Sequence, residues 1–502
     1  MKKITLLLLF VATISFGQNK YIFRPELANI SISDILKHTD SLFNPTSNFS
    51  YNCTTNYLLP YDKIIKDSGS KPGYLEEQLA LIKKDSLSPY PYGNLGLYYE
   101  NRGEAGLSQQ YYRKALGKVN YLKADKDAAR QYSYTSYLKY HVGEDGSADM
   151  EKAISINKND SLAVAFYPMY LITAQKYDAA KKVLTATLED KNNKYYGYLM
   201  LYMANAFETL SKTGSSGTDM AQTFAQLDLK TFVDMRPYQK YFKKNDAYFE
   251  LMREMTDMFP VSIKMMGTLQ DKDYKPLAPD LAVVTQKETF FKKRLQQKEA
   301  NLFGLYMALG TTSLAKRDFT GAVNYYQKAI DDFPKDKASI LFNSLDAYNN
   351  IITIHVYNKD YDKAILLLKK IPEQQVVTKA DKAKALLNIG KIHFLKNELE
   401  TATDYANLSI AEQETFDGDL FLGYMYGLQG LNTLGQRYGD KAQALVATPQ
   451  DLATIVNYYI VVQLTNGNFD GAVQMYEGNK EALAGNCESC DYIIRHYLVA
   501  AK

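Results

Sequence analysis

Cys487-Glu488-Ser489-Cys490 is the one stretch of this chain where residue type and spacing directly offer chemistry. A zinc site needs four ligands and only His496 lies near in sequence, so no structural metal is expected. Thiol–disulfide exchange normally places such a pair at a helix N-terminus after a strand, and no strand is evident here. In an oxidising compartment the expectation is a small structural disulfide closing the turn before the final helix, with redox chemistry as the alternative. Cys53 is then left over, either buried and free or available for an intermolecular bridge. Elsewhere there is no HExxH pair, no GxxxxGK(S/T) phosphate loop, no GxSxG elbow and no GxGxxG turn. Carboxylates are plentiful but scattered on helix faces, so none pairs for acid–base work. The chain is read as a non-enzyme that uses no cofactor or metal.

The elements that would position any functional side chain follow a second spacing. Tyr306-x2-Leu309-Gly310 is followed by Ala322-x3-Tyr326-x2-Ala329-x4-Pro334. The same pattern stands at Tyr92-x2-Leu95-Gly96-x2-Tyr99, then Ser108-x3-Tyr112-x2-Ala115. Tyr306, Leu309, Gly310 and Ser313 recur at i, i+3, i+4, i+7 and make one stripe along a first helix, which Ala322, Tyr326, Ala329 and Ile330 match on a second. A glycine inside a helix costs about 1 kcal/mol relative to alanine, so Gly96 and Gly310 need a packing reason. Close approach of the paired helix, with Ser108 or Ala322 facing the glycine, is the expected one. Pro334 fits just beyond the second helix, where a missing N–H breaks no ladder. These copies resemble the tetratricopeptide repeat (TPR) family. The resemblance implies an all-α fold, an α-solenoid of antiparallel helix pairs, whose first helices line a concave groove for a peptide or protein partner.

Length and composition agree. A core of 502 residues is too long for a typical single globule, whereas stacked repeats extend a core indefinitely. The 42 Tyr and absence of Trp suit packing in which a ring is buried and its hydroxyl reaches water or a carbonyl. Lys2 and Lys3 lead into an apolar run, Ile4 to Phe16, and Ser15 with Gly17 offers a cleavage site before Gln18. Residues 1–17 therefore read as a signal peptide. The nearest cysteine is Cys53, so lipoprotein processing has no acceptor, and no later segment reads as a transmembrane anchor. The expectation is a soluble bacterial protein exported through the secretory pathway, periplasmic or secreted, with envelope association open. Without the leader Lys+Arg falls from 59 to 57 against 56 acids, which gives no basic face for nucleic acid. Lys243-Lys244 and Lys292-Lys293-Arg294 read as solvated helix faces.

Along the chain, residues 18–73 read as an irregular N-terminal segment with one helix near Ser31 to Leu42, and residues 74–210 as a first repeat array. Pro168 stands within a first helix there and puts its register in question. Residues 211–300 form a degenerate helical middle region, entered through Ser211 to Gly217 and broken again by Pro260, Pro276 and Pro279. Residues 301–502 form a second array, including Tyr348-x2-Ile351-Ile352-x2-His355 and Leu386-x2-Ile389-Gly390-x2-His393. His355 and His393 occupy the place of Tyr99, which reads as core packing rather than metal ligation.

Three function classes follow: an interaction scaffold, a glycan- or nutrient-binding envelope component on the same scaffold, and a thiol–disulfide protein using the CxxC. Envelope pull-down, a glycan array and insulin reduction discriminate them. For the scaffold, Lys384, Asn388 and Lys391 make a polar stripe beside the packing stripe of their helix, and Asn350 and Asn94 hold the place of Asn388 in their own repeats. Asparagine can donate to and accept from a peptide backbone, and lysine can meet a carboxylate. The set partly resembles a carboxylate clamp, although Asn388 stands where an arginine is expected.

Overall fold

The computed structural model describes residues 20–23, 31–39, 45 and 73–500, apart from 101–103, 125–127, 192, 213–232, 245, 269–274, 277, 298–301, 333–343, 374–378, 447–448 and 484–487. In chain order the elements are β1 (Tyr21–Phe23), α1 (Ile32–Thr39), α2 (Tyr74–Lys84), α3 (Pro89–Glu100), α4 (Ala105–Leu116), α5 (Ala128–His141), α6 (Ser147–Ile156), α7 (Ser161–Thr173), α8 (Tyr177–Thr187) and α9 (Lys194–Lys212). They continue as α10 (Ala247–Thr268), α11 (Ala278–Gln296), α12 (Leu302–Ala315), α13 (Phe319–Asp332), α14 (Ser344–Tyr357), α15 (Tyr361–Lys370), α16 (Lys379–Leu395) and α17 (Leu399–Glu412). The last are α18 (Phe416–Leu428), α19 (Asn432–Ala444), α20 (Pro449–Thr465), α21 (Phe469–Leu483), α22 (Glu488–Tyr497) and β2 (Leu498–Ala500). The fold is all-α, built of antiparallel helix pairs. Two compact units result: one within Pro45–Glu414, the other uniting the described residues of Met1–Asn44 with those of Thr415–Lys502.

One kind of turn recurs between paired helices among the described residues. Gln175, Arg317, Lys359, Asn397, Gly430 and Gly467 all take positive φ, from 56° to 75°. The residue after each donates its N–H to the carbonyl five positions back, as Asp318 does to Ser313 and Glu398 to His393, both at 2.9 Å. This is a Schellman-type closure, which satisfies the carbonyls at the end of the first helix and reverses the chain. Asp160 caps α7 by accepting from the Ala163 N–H at 3.0 Å, and Thr415 caps α18 from the Gly418 N–H at 3.1 Å.

Glycine sets the distance between helices, but not against the residue expected. A Cβ on Gly310 would meet the Tyr326 ring at 2.5 Å, and one on Gly96 the Tyr112 ring at 2.6 Å. The tyrosine one turn beyond Ala322 or Ser108 thus lies on the glycine. In α16/α17 that place belongs to Ala406, and the helices close until a Cβ on Gly390 would stand 3.0 Å from the Ala402 carbonyl oxygen. Pro334 lies outside the described residues, two positions past the end of α13.

The single packing stripe expected for the first helices is too narrow. In α12, Phe303, Leu305, Met307 and Leu314 are buried together with Leu309 and Gly310, since a helix apolar all round must be covered all round. The second helix α13 keeps the expected stripe of Ala322, Tyr326 and Ala329. Tyr hydroxyls do reach carbonyls: Tyr196 donates to Ala165 at 2.6 Å and Tyr170 to Ser136 at 3.1 Å.

The middle region also corrects the sequence reading. Pro260 lies inside α10 and does not end it, Pro279 sits in the first turn of α11, and α7 likewise runs through Pro168. Lys243 and Lys244 are exposed but lie in a turn rather than on a helix, and Lys292 and Lys293 are exposed on α11 as expected, whereas Arg294 is buried and paired with Glu250 at 3.1 Å. Lys287, also buried, binds Glu254 and, at 2.7 Å, Asp257, so ion pairs clamp α10 to α11.

In the smaller unit the two termini of the chain meet. β1 pairs antiparallel with β2, Tyr21 opposite Ala500, Ile22 opposite Val499 and Phe23 opposite Leu498. Strands this short carry no readable alternation, which is why none was expected.

Candidate partner-binding surface

The first helices carry the side chains expected to form the groove, and their burial separates them. Asn350 on α14 and Lys384 on α16 are half-buried, whereas Asn388 and Lys391 are each 2% exposed. Asn94 is 8% exposed, and its amide donates to Gln78 at 3.1 Å inside the α2–α3 contact. Helices α14, α15 and α16 share one core, formed by Tyr348, Ile352, Ile365, Leu368, Ile389 and Ile392 among others. That core holds Asn350 and Lys384 on successive first helices.

The two tempting histidines act at the turns. His393 Nδ1 lies 2.5 Å from the Glu398 carboxylate, and the ring stacks on Tyr405 at 5.3 Å. Glu398 also donates its backbone N–H to His393, so one residue clasps both the carbonyl and the ring of the other. His355 repeats the arrangement with Asp360 at a longer 3.4 Å, and burial lowers the affinity of its imidazole for a proton. Equivalent stacks join Tyr99 to Tyr111 and Tyr426 to Tyr438.

A third cluster escaped the sequence reading because its members lie on three helices. Tyr112 donates to Glu100 at 2.6 Å, His141 Nδ1 stands 3.1 Å from the same carboxylate, and the imidazole stacks on Tyr112 at 4.4 Å. Burial would raise the Glu100 carboxyl, but the bonds from His141 and Tyr112 outweigh it and hold it below its usual range. The group clasps α3, α4 and α5 together. The turn clasps, by contrast, leave a trace: an acid directly after Arg317, Lys359 and Asn397, just before the second helix begins.

Among the described residues no three His, Cys, Asp or Glu side chains gather as a metal site, and no helix is long and apolar enough to cross a membrane. Cys490 is buried in the first turn of α22 and disulfide-bonded. Cys487 and Cys53 lie outside the described residues. A wide, open depression along α19, lined by Asn432, Gln436, Arg437, Asp440 and Lys441, encloses nothing.

The tetratricopeptide-repeat family profile matches residues 90–117, the segment in which Tyr112 lies on Gly96. Residues 90–117 thus carry a tetratricopeptide repeat. No curated protein matches it by sequence. Among solved structures, the crystal structure of MamA protein is 22% identical with a TM-score of 0.27, covering 40% of this chain and 98% of its own. Yeast Tom70 is 15% identical with a TM-score of 0.32, covering 86% and 96%. Human IFIT1, solved as a dimer with PPP-AAAA, is 13% identical with a TM-score of 0.33, covering 84% and 96%. Likenesses this loose say nothing of what this chain binds. The scaffold itself suggests protein–protein interaction, and repeats of this type generally serve that role without catalysis.

Proposed function

We propose that this protein is an exported, non-enzymatic scaffold that receives a peptide or protein segment along the first helices of its C-terminal array. The observation that carries the reading is the placement of Asn350 and Lys384, polar, half-buried and held on successive first helices by one apolar core. A lysine there meets a carboxylate, and an asparagine pairs with a peptide backbone. Asn388 and Lys391 are buried, so reversing charge at Lys391 would test folding rather than binding. Export rests on the Lys2-Lys3 leader and the Ser15-x-Gly17 pair.

The test places a photo-crosslinking residue at Asn350 or Lys384, with exposed Lys363 on second helix α15 as control. Adducts specific to the first two positions are expected, and Lys384→Glu with Asn350→Ala should lower their yield severalfold while the thermal melt holds. Equal adducts at Lys363 would move the site elsewhere. Mass spectrometry should find Gln18 as the first residue of the envelope protein, and an intact Met1 there would end the export reading.

A further inference from the structure

The described residues between Lys20 and Thr39 meet the last helices of the chain at two places. At the first, β1 pairs with β2, and the Asp470 carboxylate, in the first turn of α21, accepts the backbone N–H of Lys20 at 2.6 Å and of Tyr21 at 3.1 Å. Asp470 is spare for this, because Asn468 already caps α21 by accepting from the Gly471 N–H at 3.1 Å. At the second, α1 packs on α22; Ser31 caps α1 by accepting from the Asp34 N–H at 3.1 Å, and its Leu36 is fully buried. Since α22 runs straight on into β2, both places lie on one continuous element, residues 488–500.

We propose that β1 and α1 form a strap that opens and closes over residues 488–500 as one cooperative unit, with Asp470 as its latch, while α20, α21 and α22 stay folded. Neither part holds its shape alone: an eight-residue helix is shorter than the roughly 12–15 residues at which helices persist in water, and a two-stranded ribbon needs further packing. Each therefore forms on its site, and both sites belong to the same element, so loosening one loosens the other. The anchorage is also small. Lys20 and Ile22 are exposed, and of the described side chains of α1 only Leu36 is buried. The layer beneath is held more firmly, since Tyr476 of α21 bonds to Asp491 of α22, and Cys490 and Ile493 are fully buried. Segments with few buried apolar contacts and exposed hydrogen bonds open first. An open strap leaves one edge of β2 unpaired, and an unpaired edge accepts other extended segments, so the closed strap guards it. The opening is independent of the groove reading, since it uses neither Asn350 nor Lys384.

Amide hydrogen exchange of the full chain, followed in low denaturant, tests this. Residues 20–23 and 31–39 are expected to exchange together, severalfold faster than α21. Asp470→Ala should speed exchange severalfold in both segments, α1 included although its packing is on α22, and Leu36→Ala should likewise speed β1 as well as α1. In both variants α21 and the α12/α13 pair should keep their wild-type rates. Acceleration confined to residues 20–23 in Asp470→Ala, and to α1 in Leu36→Ala, would make these two independent contacts and sink the strap. Exchange of both segments at the rate of α21 in the wild-type chain would show that nothing opens short of unfolding the whole unit.

Discussion

Two neighbouring helix pairs of the larger unit solve one packing problem by opposite means. In α12/α13 the Tyr326 ring lies on Gly310, dry and fully covered. In α10/α11 the contact is charged, with Lys287 bonded to Glu254 and Asp257 and Arg294 to Glu250. A ring on a glycine demands two residue types at a fixed spacing, so it repeats and can be found by eye. Ion pairs tolerate many positions along a helix, so they leave no periodic trace. Further along, α18/α19 shows that the ring can even come from the next pair: Tyr458 of α20 donates to the Gly435 carbonyl at 2.8 Å.

The comparison is broken most directly at Tyr326. Tyr326→Ala should cost about 3–5 kcal/mol in thermal or denaturant unfolding, independent of salt. Gly310→Ala should cost roughly 1–3 kcal/mol by overpacking, and most of that cost should vanish in the Tyr326→Ala background. Additive losses would show that the ring does not set the helix distance.

The charged pair should answer to solvent instead. Burial alone would raise the Glu254 carboxyl, but hydrogen bonds from Lys287 and Arg253 outweigh it and hold it below its usual range. Its contribution is therefore complete above the unfolded carboxylate value of about 4.3 and disappears as pH falls through the lower folded value. Glu254→Gln should cost about 1.5–3 kcal/mol at pH 7, and the gap to wild type should close under acid. A pH-independent gap would mean that shape rather than charge holds α10 to α11.

Smaller effects refine the picture. Tyr458→Phe keeps the ring and removes one of the bonds to the Gly435 carbonyl, so a loss of about 1 kcal/mol is expected. Lys359 holds φ 61°, and Lys359→Gly should gain up to about 1 kcal/mol, because relief of left-handed strain outweighs the added freedom of the unfolded chain. Asn397→Gly should gain less, since asparagine tolerates that conformation better.

The sequence by itself determined the helix class and the helix pairing at Gly96 and Gly310, because sterics within one or two turns decide each of them. Tertiary structure alone decided that Tyr326 rather than Ala322 covers the glycine, and that Asn388 and Lys391 lie below the surface while Asn350 and Lys384 reach it. It also decided that Arg294 is paired rather than solvated, and that Tyr21–Phe23 meets Leu498–Ala500. Each of these depends on a partner distant in sequence, and periodicity within one helix fixes which face a residue occupies without fixing what will cover it.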